Sequence, residues 1–352
     1  MNYAAVIIPT LIRINHLTRC IESLKKNPES RNTDLYISVD YPPSKRFWTG
    51  YSDVVDYVKT ISGFLSVNLY FQKTNLGPGL NYKFLIEKIS EKHDKYIFTE
   101  DDNEFSSNFL SYVNWGLEEY KDNDSVYAIC SCSDFEFDYN NIQEDYFFIQ
   151  SYNAYGTGHW IHKNKRCLSF LTQKMINDFY ASFSKQKMLF NNSLNLYYWV
   201  ALDSVRRISA MRGQDDSLTF IDIWLNFYLS QNNLFCVKPV KAKSRNWGQD
   251  GSGVHQSESD SLSNKKISYL DSCSSWSLCP KRVEKKREDN LSKLHYGHYF
   301  VTKSNIVFAF FLYTLNYIFG NKAVHSTYNS LSLIYKFIFR KKSSTDDTIK
   351  YG

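Results

Sequence analysis

Short apolar runs alternate with segments of helical periodicity along the first 130 residues. The runs predicted to be buried strands are AAVIIPT, DLYISVDYPP, VNLYFQKTNLG, KYIFTEDD and SVYAICS. The segments between them place apolar residues on one helix face, as HLTRCIESLKKN does with Leu17, Cys20, Ile21 and Leu24. Strands that alternate with helices form a mostly parallel sheet flanked by helices. The pattern therefore predicts an α/β fold.

Polar residues follow the predicted strands at the points where those strands end. The first strand, residues 4–8, is expected to stop at Pro9. Carboxyl ends of parallel strands share one edge of a sheet, and ligands bind at that edge. The residues that fall there are Pro9 and Thr10, then Asp40, then Asn75 and Gly77, then the acids Glu100, Asp101 and Asp102. We expect these side chains to form one site.

Beyond residue 130 the alternation is less regular, and composition divides the chain. Residues 131–260 contain a predicted helix, DSLTFIDIWLNFYLSQNN, a short strand, LFCVKPV, and a glycine-rich loop, RNWGQDGSGVH. Residues 261–300 are polar and basic and are expected to connect this part to the end of the chain. Residues 301–352 form an apolar and basic tail that we expect to be helical.

The acidic triplet that closes KYIFTEDD is the strongest chemical signal. Adjacent carboxylates repel one another and resist leaving water, so a solvated helix start is one explanation. A hard divalent cation is the other, because Mg²⁺ and Mn²⁺ take one or two carboxylates and complete their shell with water and phosphates. The preceding strand favours the cation, with Asp102 as direct ligand, Asp101 nearer a sugar or ribose and Glu100 in support.

Two further residues are candidates for chemistry. Asp222 stands among apolar neighbours in TFIDIW, where partial burial would suit a general base. A cap at the helix start is the plain alternative, and the acids of QDD, residues 214–216, compete for the role. His255 follows a loop with three glycines and could add a nitrogen ligand to the metal, although the sequence by itself favours a loop histidine without a role.

Charge and cysteine content exclude some classes of protein. The net charge of +6 is small for 352 residues, and its basic clusters lie mostly after residue 260, so no nucleic-acid-binding face is indicated. The N-terminus lacks a secretion signal, so we expect a cytoplasmic protein. The seven cysteines have no regular spacing and are expected to be reduced.

The tail contains two apolar stretches, one around residues 306–319 and a second that ends at RKK. Each is shorter than the roughly 20 residues that a bilayer span needs. Aromatic segments flanked by cations suit the inner face of a plasma membrane. A helix pair packed on the body of the protein or in a dimer is the alternative.

Six segments in order carry a resemblance to a known family. They are AVIIPTLIRINHLTRCIESL, NLGPGLNYKF, YIFTEDDNEFSSNFLSYVN, YGTGHW, FIDIWLNFYLSQNNLFCVKP and RNWGQDGSGVH. Together they resemble bacterial GT-A-fold glycosyltransferases of the family 2-like type and are similar to the N-acetylglucosaminyltransferase I family. The resemblance spans roughly residues 3–290 and implies one GT-A domain, with a nucleotide-sugar-binding half in 1–130 and an acceptor and catalytic half in 131–260.

The resemblance also implies an activity and its residues. The activity is inverting, metal-dependent transfer of a hexosyl or N-acetylhexosaminyl group from a nucleotide sugar, with UDP favoured, to a glycan or lipid-linked acceptor in capsule or O-antigen synthesis. It implies Mn²⁺ or Mg²⁺ on Asp102 and His255, with Asp222 as catalytic base. The implied donor-binding residues are Pro9, Thr10, Arg13, Asp40, Asn75, Gly77, Lys83, Glu100 and Asp101.

The segment YGTGHW departs from the family pattern. The resemblance places the acceptor and the donor sugar near Gly158, His159, Trp160 and Trp224, although His159 interrupts the usual turn. Trp247 stands where a smaller aliphatic residue is common. Candidate cations for the leaving diphosphate are Lys83, Lys243 and Arg245. A nucleotide-sugar-binding protein without catalysis and a sugar nucleotidyltransferase remain alternative functions.

Overall fold

The computed structural model describes residues 2–133, 143–200, 221–248, 250, 270–296 and 311. Its contacts divide the chain into two units. The first comprises Met1–Phe170 and Trp224–Ser292, and the second comprises Leu171–Ile223 and Lys293–Gly352. The division predicted near residue 130 falls inside the first unit, because strands on both sides of it belong to one sheet.

An eight-stranded sheet forms the centre of the first unit, with strand order β3-β2-β1-β4-β8-β6-β9-β7. Its strands are β1 (Ala5–Thr10), β2 (Asp34–Val39), β3 (Ser66–Phe71), β4 (Lys95–Phe98), β6 (Val126–Cys130), β7 (Tyr146–Ile149), β8 (Thr157–Trp160) and β9 (Phe235–Pro239). A separate pair joins β5 (Asn103–Phe105) to β10 (Ser244–Asn246).

The sheet is mixed but mostly parallel. Strands β3, β2, β1 and β4 run parallel, as do β6 and β9. Strand β8 runs antiparallel between β4 and β6, and β7 is antiparallel to β9. The predicted α/β fold is confirmed, and the sheet agrees with the GT-A arrangement that the resemblance implies.

Nine named helices occur in the described parts of the chain, with 3₁₀ turns at Pro28–Asn32 and Lys45–Phe47. They are α1 (Ile14–Lys25), α2 (Trp48–Val58), α3 (Gly77–Ile89), α4 (Phe109–Glu119), α5 (Ile161–Phe170), α6 (Gln173–Ala181), α7 (Phe183–Asn192), α8 (Ile221–Asn232) and α9 (Lys285–Tyr296). Helices α6 and α7 belong to the second unit, and α8 begins in the second unit and continues into the first.

Alternate residues of β1 enter two separate apolar clusters, because successive side chains of a strand point to opposite faces. Val6 and Ile8 pack with α1, α2 and α4, whereas Ala5 and Ile7 pack with α3 and α5. Burial of one large apolar side chain contributes about 1.5–3 kcal/mol. The sheet is thus covered on both faces, and its strand ends are held at fixed positions.

Strand β1 is longer than predicted. Pairing with β4 stops at Ile7, whereas pairing with β2 continues through Pro9 to Thr10. Proline lacks the N–H that a ladder needs, and here β1 is unpaired on the β4 side from Pro9 onward. The proline therefore ends one ladder of the strand but not the other, and it carries Thr10 to the edge of the sheet.

Several predicted features lie outside the described residues. They include the loop residue His255, the competing acids at 215 and 216, and the tail except Phe311. Within the described residues, no helix combines the length and apolar character needed to cross a bilayer.

Candidate active site

Parallel pairing of β1 with β4 brings their carboxyl ends together. Thr10 ends β1, and Asp101 follows β4 by three residues. The Thr10 hydroxyl donates a hydrogen bond of 2.7 Å to Asp101 Oδ2. Both residues are buried. Two of the predicted site residues therefore meet as the strand-end pattern requires.

Arg13 binds both aspartates of the acidic triplet. It stands just before α1, and its Nη1 donates to Asp102 Oδ2 at 2.8 Å while Nη2 pairs with Asp101 Oδ1. The two carboxylates are nearly inaccessible, with side-chain exposures of 5% and 8%, whereas that of Arg13 is 23%. Burial raises the pKa of Asp101, and the Arg13 charge and the Thr10 hydroxyl offset this only in part.

The β5–β10 pair brings residues 245–248, which begin the glycine-rich loop, to the same acids. Asn246 pairs with Asn103, the residue after Asp102. Its Nδ2 donates to Asp102 Oδ1 at 2.6 Å, and the Trp247 N–H donates to the Asp102 carbonyl at 2.8 Å. The sequence prediction singled out His255 in this loop and missed Asn246. The sequence evidence for Asn246 is its place in RNWGQDGSGVH, but a single asparagine gives no indication of its hydrogen-bond partner.

Trp247 anchors the loop beside the acids. Its ring contacts two arginines, with the guanidinium carbon of Arg19 at 4.4 Å from the ring centroid and that of Arg245 at 4.6 Å. Its Nε1–H donates to Glu104 Oε2 at 2.7 Å, and Arg245 forms an ion pair with the same carboxylate. Cation–π contacts of this kind are worth roughly 0.5–2 kcal/mol each. A tryptophan at this position therefore fixes the loop on α1 and β5.

Two of the candidate diphosphate cations have other partners. Arg245 pairs with Glu104 and stacks on Trp247. Lys243 is buried and pairs with Asp271, and burial lowers its pKa. The expectation that these two cations contact a diphosphate is therefore not supported by their positions, because each already neutralises a neighbouring carboxylate.

Asp40 holds the start of α3. Its carboxylate accepts from the backbone N–H groups of Leu76 and Gly77, each at 2.8 Å, and from Asn75 Nδ2 at 3.2 Å. Gly77 has a φ of 71°, which glycine adopts without strain. Three predicted donor-binding residues are thus brought together. Their polar groups bind one another, so a nucleotide base would have to replace some of these bonds to contact Asp40.

The remaining donor-site candidates are less closely associated. Pro9 is partly exposed within β1, and Glu100 is partly buried beside Asp101. Lys83 lies on the exposed side of α3. Pro9 and Glu100 therefore lie near Asp101 and Asp102, whereas the structure does not associate Lys83 with them.

The segment from Gly158 to Trp160 lies inside the sheet. These residues form β8, between β4 and β6. His159 is 1% exposed, stacks on Tyr96 at 5.1 Å between ring centroids, and has its pKa lowered by burial to about 3. The Trp160 Nε1–H donates to the Leu117 carbonyl at 3.1 Å. Because these side chains are buried, the segment contributes to packing of the sheet and is not part of the proposed acceptor site.

We expect Gly158→Ala to lower the free energy of unfolding by about 1–3 kcal/mol. An added Cβ would stand 2.5 Å from Val113 Cγ1 and 3.1 Å from Leu117, in the packed core. Gly79→Ala is the matched control, because nothing lies within 4 Å of its Cβ position. Urea unfolding of both variants would measure the difference. Equal stabilities would show that β8 is not packed against α4 as described.

Asp222 lies in the first turn of α8. The residue as a whole is partly exposed, whereas its carboxyl group is buried. This burial raises the pKa of the carboxyl group to about 6. Further along the helix, Trp224 is fully buried and stacks edge-on against Phe227 at 5.4 Å. Asn226 exchanges two hydrogen bonds with the Tyr152 backbone, at 2.7 and 3.2 Å. Trp224 therefore serves packing, whereas Asp222 has the proton affinity of a base that works near neutral pH.

The acidic pair fits a divalent cation. Its two buried carboxylates already hold a cationic guanidinium, and hard cations prefer such oxygen ligands. A side chain at Gly248 would overlap Asp102 Oδ2, so glycine keeps that side of the carboxylate clear. Among the described residues no three His, Cys, Asp or Glu side chains form a metal cage. Asp102 would therefore hold the ion with few protein ligands.

Comparison with known proteins gives distant structural likenesses. No family model and no curated protein matches the chain. A mannosyltransferase from Pyrobaculum calidifontis, PcManGT, solved with GDP-Man and Mn²⁺, matches 64% of this chain and 69% of its own at 12% identity and a TM-score of 0.36. S. aureus TarS matches 47% of this chain at 13% identity and a TM-score of 0.34. The chain spans 29% of TarS. At these TM-scores, neither likeness establishes a function.

Proposed function

We propose that this chain is an inverting glycosyltransferase that uses a nucleotide-diphosphate sugar. The observation that carries the proposal is the buried pair Asp101 and Asp102 at the carboxyl end of β4, bound by Thr10, Arg13 and Asn246. Elements that are distant in sequence supply these partners, and all of them meet at the edge where α/β sheets bind ligands. The order of motifs supports the same activity.

The leaving group of this reaction is a nucleoside diphosphate, and its charge grows as the glycosidic bond breaks. A divalent cation held by Asp102 would neutralise that charge without a proton. Asp101, fixed by Thr10, lies next to Asp102 and is proposed to face the ribose or the sugar. Asp40, Asn75 and Gly77 are proposed to border the nucleotide base. In this arrangement the acids orient the donor, and the strand ends hold the acids.

Asp222 is the proposed general base. It would take the proton of the acceptor hydroxyl while the hydroxyl oxygen forms a bond to the anomeric carbon. The bond from that carbon to the phosphate oxygen breaks in the same step, and the electron pair leaves with the diphosphate. Attack from the face opposite the leaving group inverts the configuration. A carboxyl group with a pKa of about 6 is ionised at neutral pH and remains basic enough for this transfer.

The resemblance supports a narrower proposal on substrates. We propose a UDP-linked hexose or N-acetylhexosamine as donor and a glycan or lipid-linked hydroxyl as acceptor, in bacterial surface polysaccharide synthesis. Peripheral contact of the tail with the inner face of the plasma membrane belongs to the same proposal. These points rest on motif order and tail composition.

A panel of nucleotide sugars tests the function. We expect one donor to raise the melting temperature of the protein with Mn²⁺ present and to do so less without it. Slow release of the nucleoside diphosphate from that donor should follow. Binding without release would indicate a nucleotide-sugar-binding protein. Release of pyrophosphate from a nucleoside triphosphate and a sugar phosphate would indicate a nucleotidyltransferase.

A further inference from the structure

We propose that Arg13 is a built-in competitor of the metal ion, which neutralises Asp102 in the metal-free protein and moves to the donor diphosphate when the ion binds. The inference rests on the proposed function and adds to it a role for one residue. Its basis is the guanidinium that joins Asp101 and Asp102 in a nearly buried site.

The contacts of Arg13 block the oxygen that a cation would use. Nη1 lies 2.8 Å from Asp102 Oδ2, while Asp102 Oδ1 accepts from Asn246 at 2.6 Å. Both carboxylate oxygens of Asp102 therefore have donors. Arg245 and Lys243, two other cations near these acids, form pairs with Glu104 and Asp271. The guanidinium thus supplies the positive charge that the two aspartates need.

A divalent ion and the guanidinium cannot share Asp102 Oδ2 without strong repulsion. Like charges a few ångströms apart in a site of low water content repel far more than they do in bulk water. Arg13 can leave because its side chain is 23% exposed and stands outside the first turn of α1. Asp101 keeps its Thr10 bond when Arg13 moves. The departing guanidinium then faces the new negative group beside the ion, which is the diphosphate.

The exchange couples the two ligands. Arg13 weakens binding of the metal ion when no diphosphate is present. It strengthens joint binding of the metal ion and a diphosphate. Coupling between two ligands is reciprocal, so each should raise the affinity for the other. The protein would then hold the ion tightly only when the donor is present.

The test compares Arg13→Gln with Arg31→Gln in the full chain. Arg31 is exposed in the last turn of the 3₁₀ segment Pro28–Asn32, and its loss removes the same charge without freeing Asp102. Mn²⁺ binding without nucleotide, measured by the resonance signal of free Mn²⁺, is expected to be about tenfold or more tighter in Arg13→Gln, the size of one charge-assisted hydrogen bond. Arg31→Gln should stay within about twofold of the parent protein. UDP binding at saturating Mn²⁺ should weaken about tenfold in Arg13→Gln.

Unchanged or weaker Mn²⁺ binding in Arg13→Gln would overturn the inference, as would equal effects of the two variants. If Arg13→Gln fails to fold, Arg13→Lys replaces it, since one ammonium cannot hold both carboxylates as the guanidinium does. Its Mn²⁺ affinity should then exceed that of the parent protein, and an affinity no higher would overturn the inference. Sugar-nucleotide turnover by the parent protein separates the two proposals. Turnover with the wrong Mn²⁺ pattern contradicts only the role of Arg13, whereas the expected pattern without turnover contradicts only the transferase.

Discussion

Asp222→Asn is expected to lower the rate of sugar transfer by about 10²–10⁴-fold, the usual contribution of a positioned general base. Asparagine keeps the size of the side chain and loses the ability to accept a proton. Donor binding should be retained, because the groups proposed to hold the donor lie at the ends of β1, β2 and β4. Single-turnover kinetics together with titration of UDP would separate the two effects.

The pH dependence of the transfer rate gives an independent test of Asp222. Burial raises the pKa of Asp222 to about 6, so the carboxyl is protonated and inactive as a base at lower pH. The transfer rate of the parent protein should therefore rise with pH through about 6 and then level off. The residual activity of Asp222→Asn should lack this step. A profile without a step near 6 in the parent protein would argue against Asp222.

Asp178→Asn is the matched control, since Asp178 is an exposed acid on α6 of the same unit. It should transfer sugar at the parent rate. Normal turnover by Asp222→Asn would remove Asp222 from the role of base and would favour the acids of the preceding QDD segment.

Asp102→Asn is expected to remove the Mn²⁺ dependence of UDP binding. Groups that merely support a metal ligand cost about 10–100-fold when they are replaced, so loss of the ligand itself should weaken UDP binding by about 100-fold or more. The fold should persist because Arg13 keeps its pair with Asp101 and Thr10 keeps its bond. Calorimetry with and without Mn²⁺ would measure the loss.

The control for this variant is Asp56→Asn, an exposed acid of α2 that pairs with Lys59 at 3.5 Å. Its UDP affinity should match the parent value in both conditions. An Asp102→Asn protein with the parent's Mn²⁺-dependent affinity would place the metal ion on other residues.

The apolar pattern was sufficient to predict the parallel part of the sheet and the residues at its edge. Buried strands and one-sided helices leave a strong period, and parallel pairing then fixes where Thr10 and Asp101 meet. The resemblance gave Arg13 only as a donor-binding residue and did not indicate that it contacts these acids. Its ion pairs depend on side-chain directions that no period encodes.

Strands β8, β5 and β10 were not predicted. Each is three or four residues long, which is too short for alternation to appear. The resemblance placed an acceptor-site turn near Gly158, whereas Gly158 permits close packing of β8 against α4. The contacts of Asp40 were not predictable for a different reason. Its partners at the start of α3 are backbone N–H groups, which every residue type except proline has.

The central claim is that Asp102 holds the cation that binds the diphosphate of a sugar donor. Anomalous scattering from crystals grown with Mn²⁺ and UDP tests it most directly. We predict a manganese peak about 2 Å from the Asp102 carboxylate and in contact with the UDP phosphates. A diphosphate bound elsewhere, with Arg13 still joined to Asp102 and no peak beside it, would contradict the account.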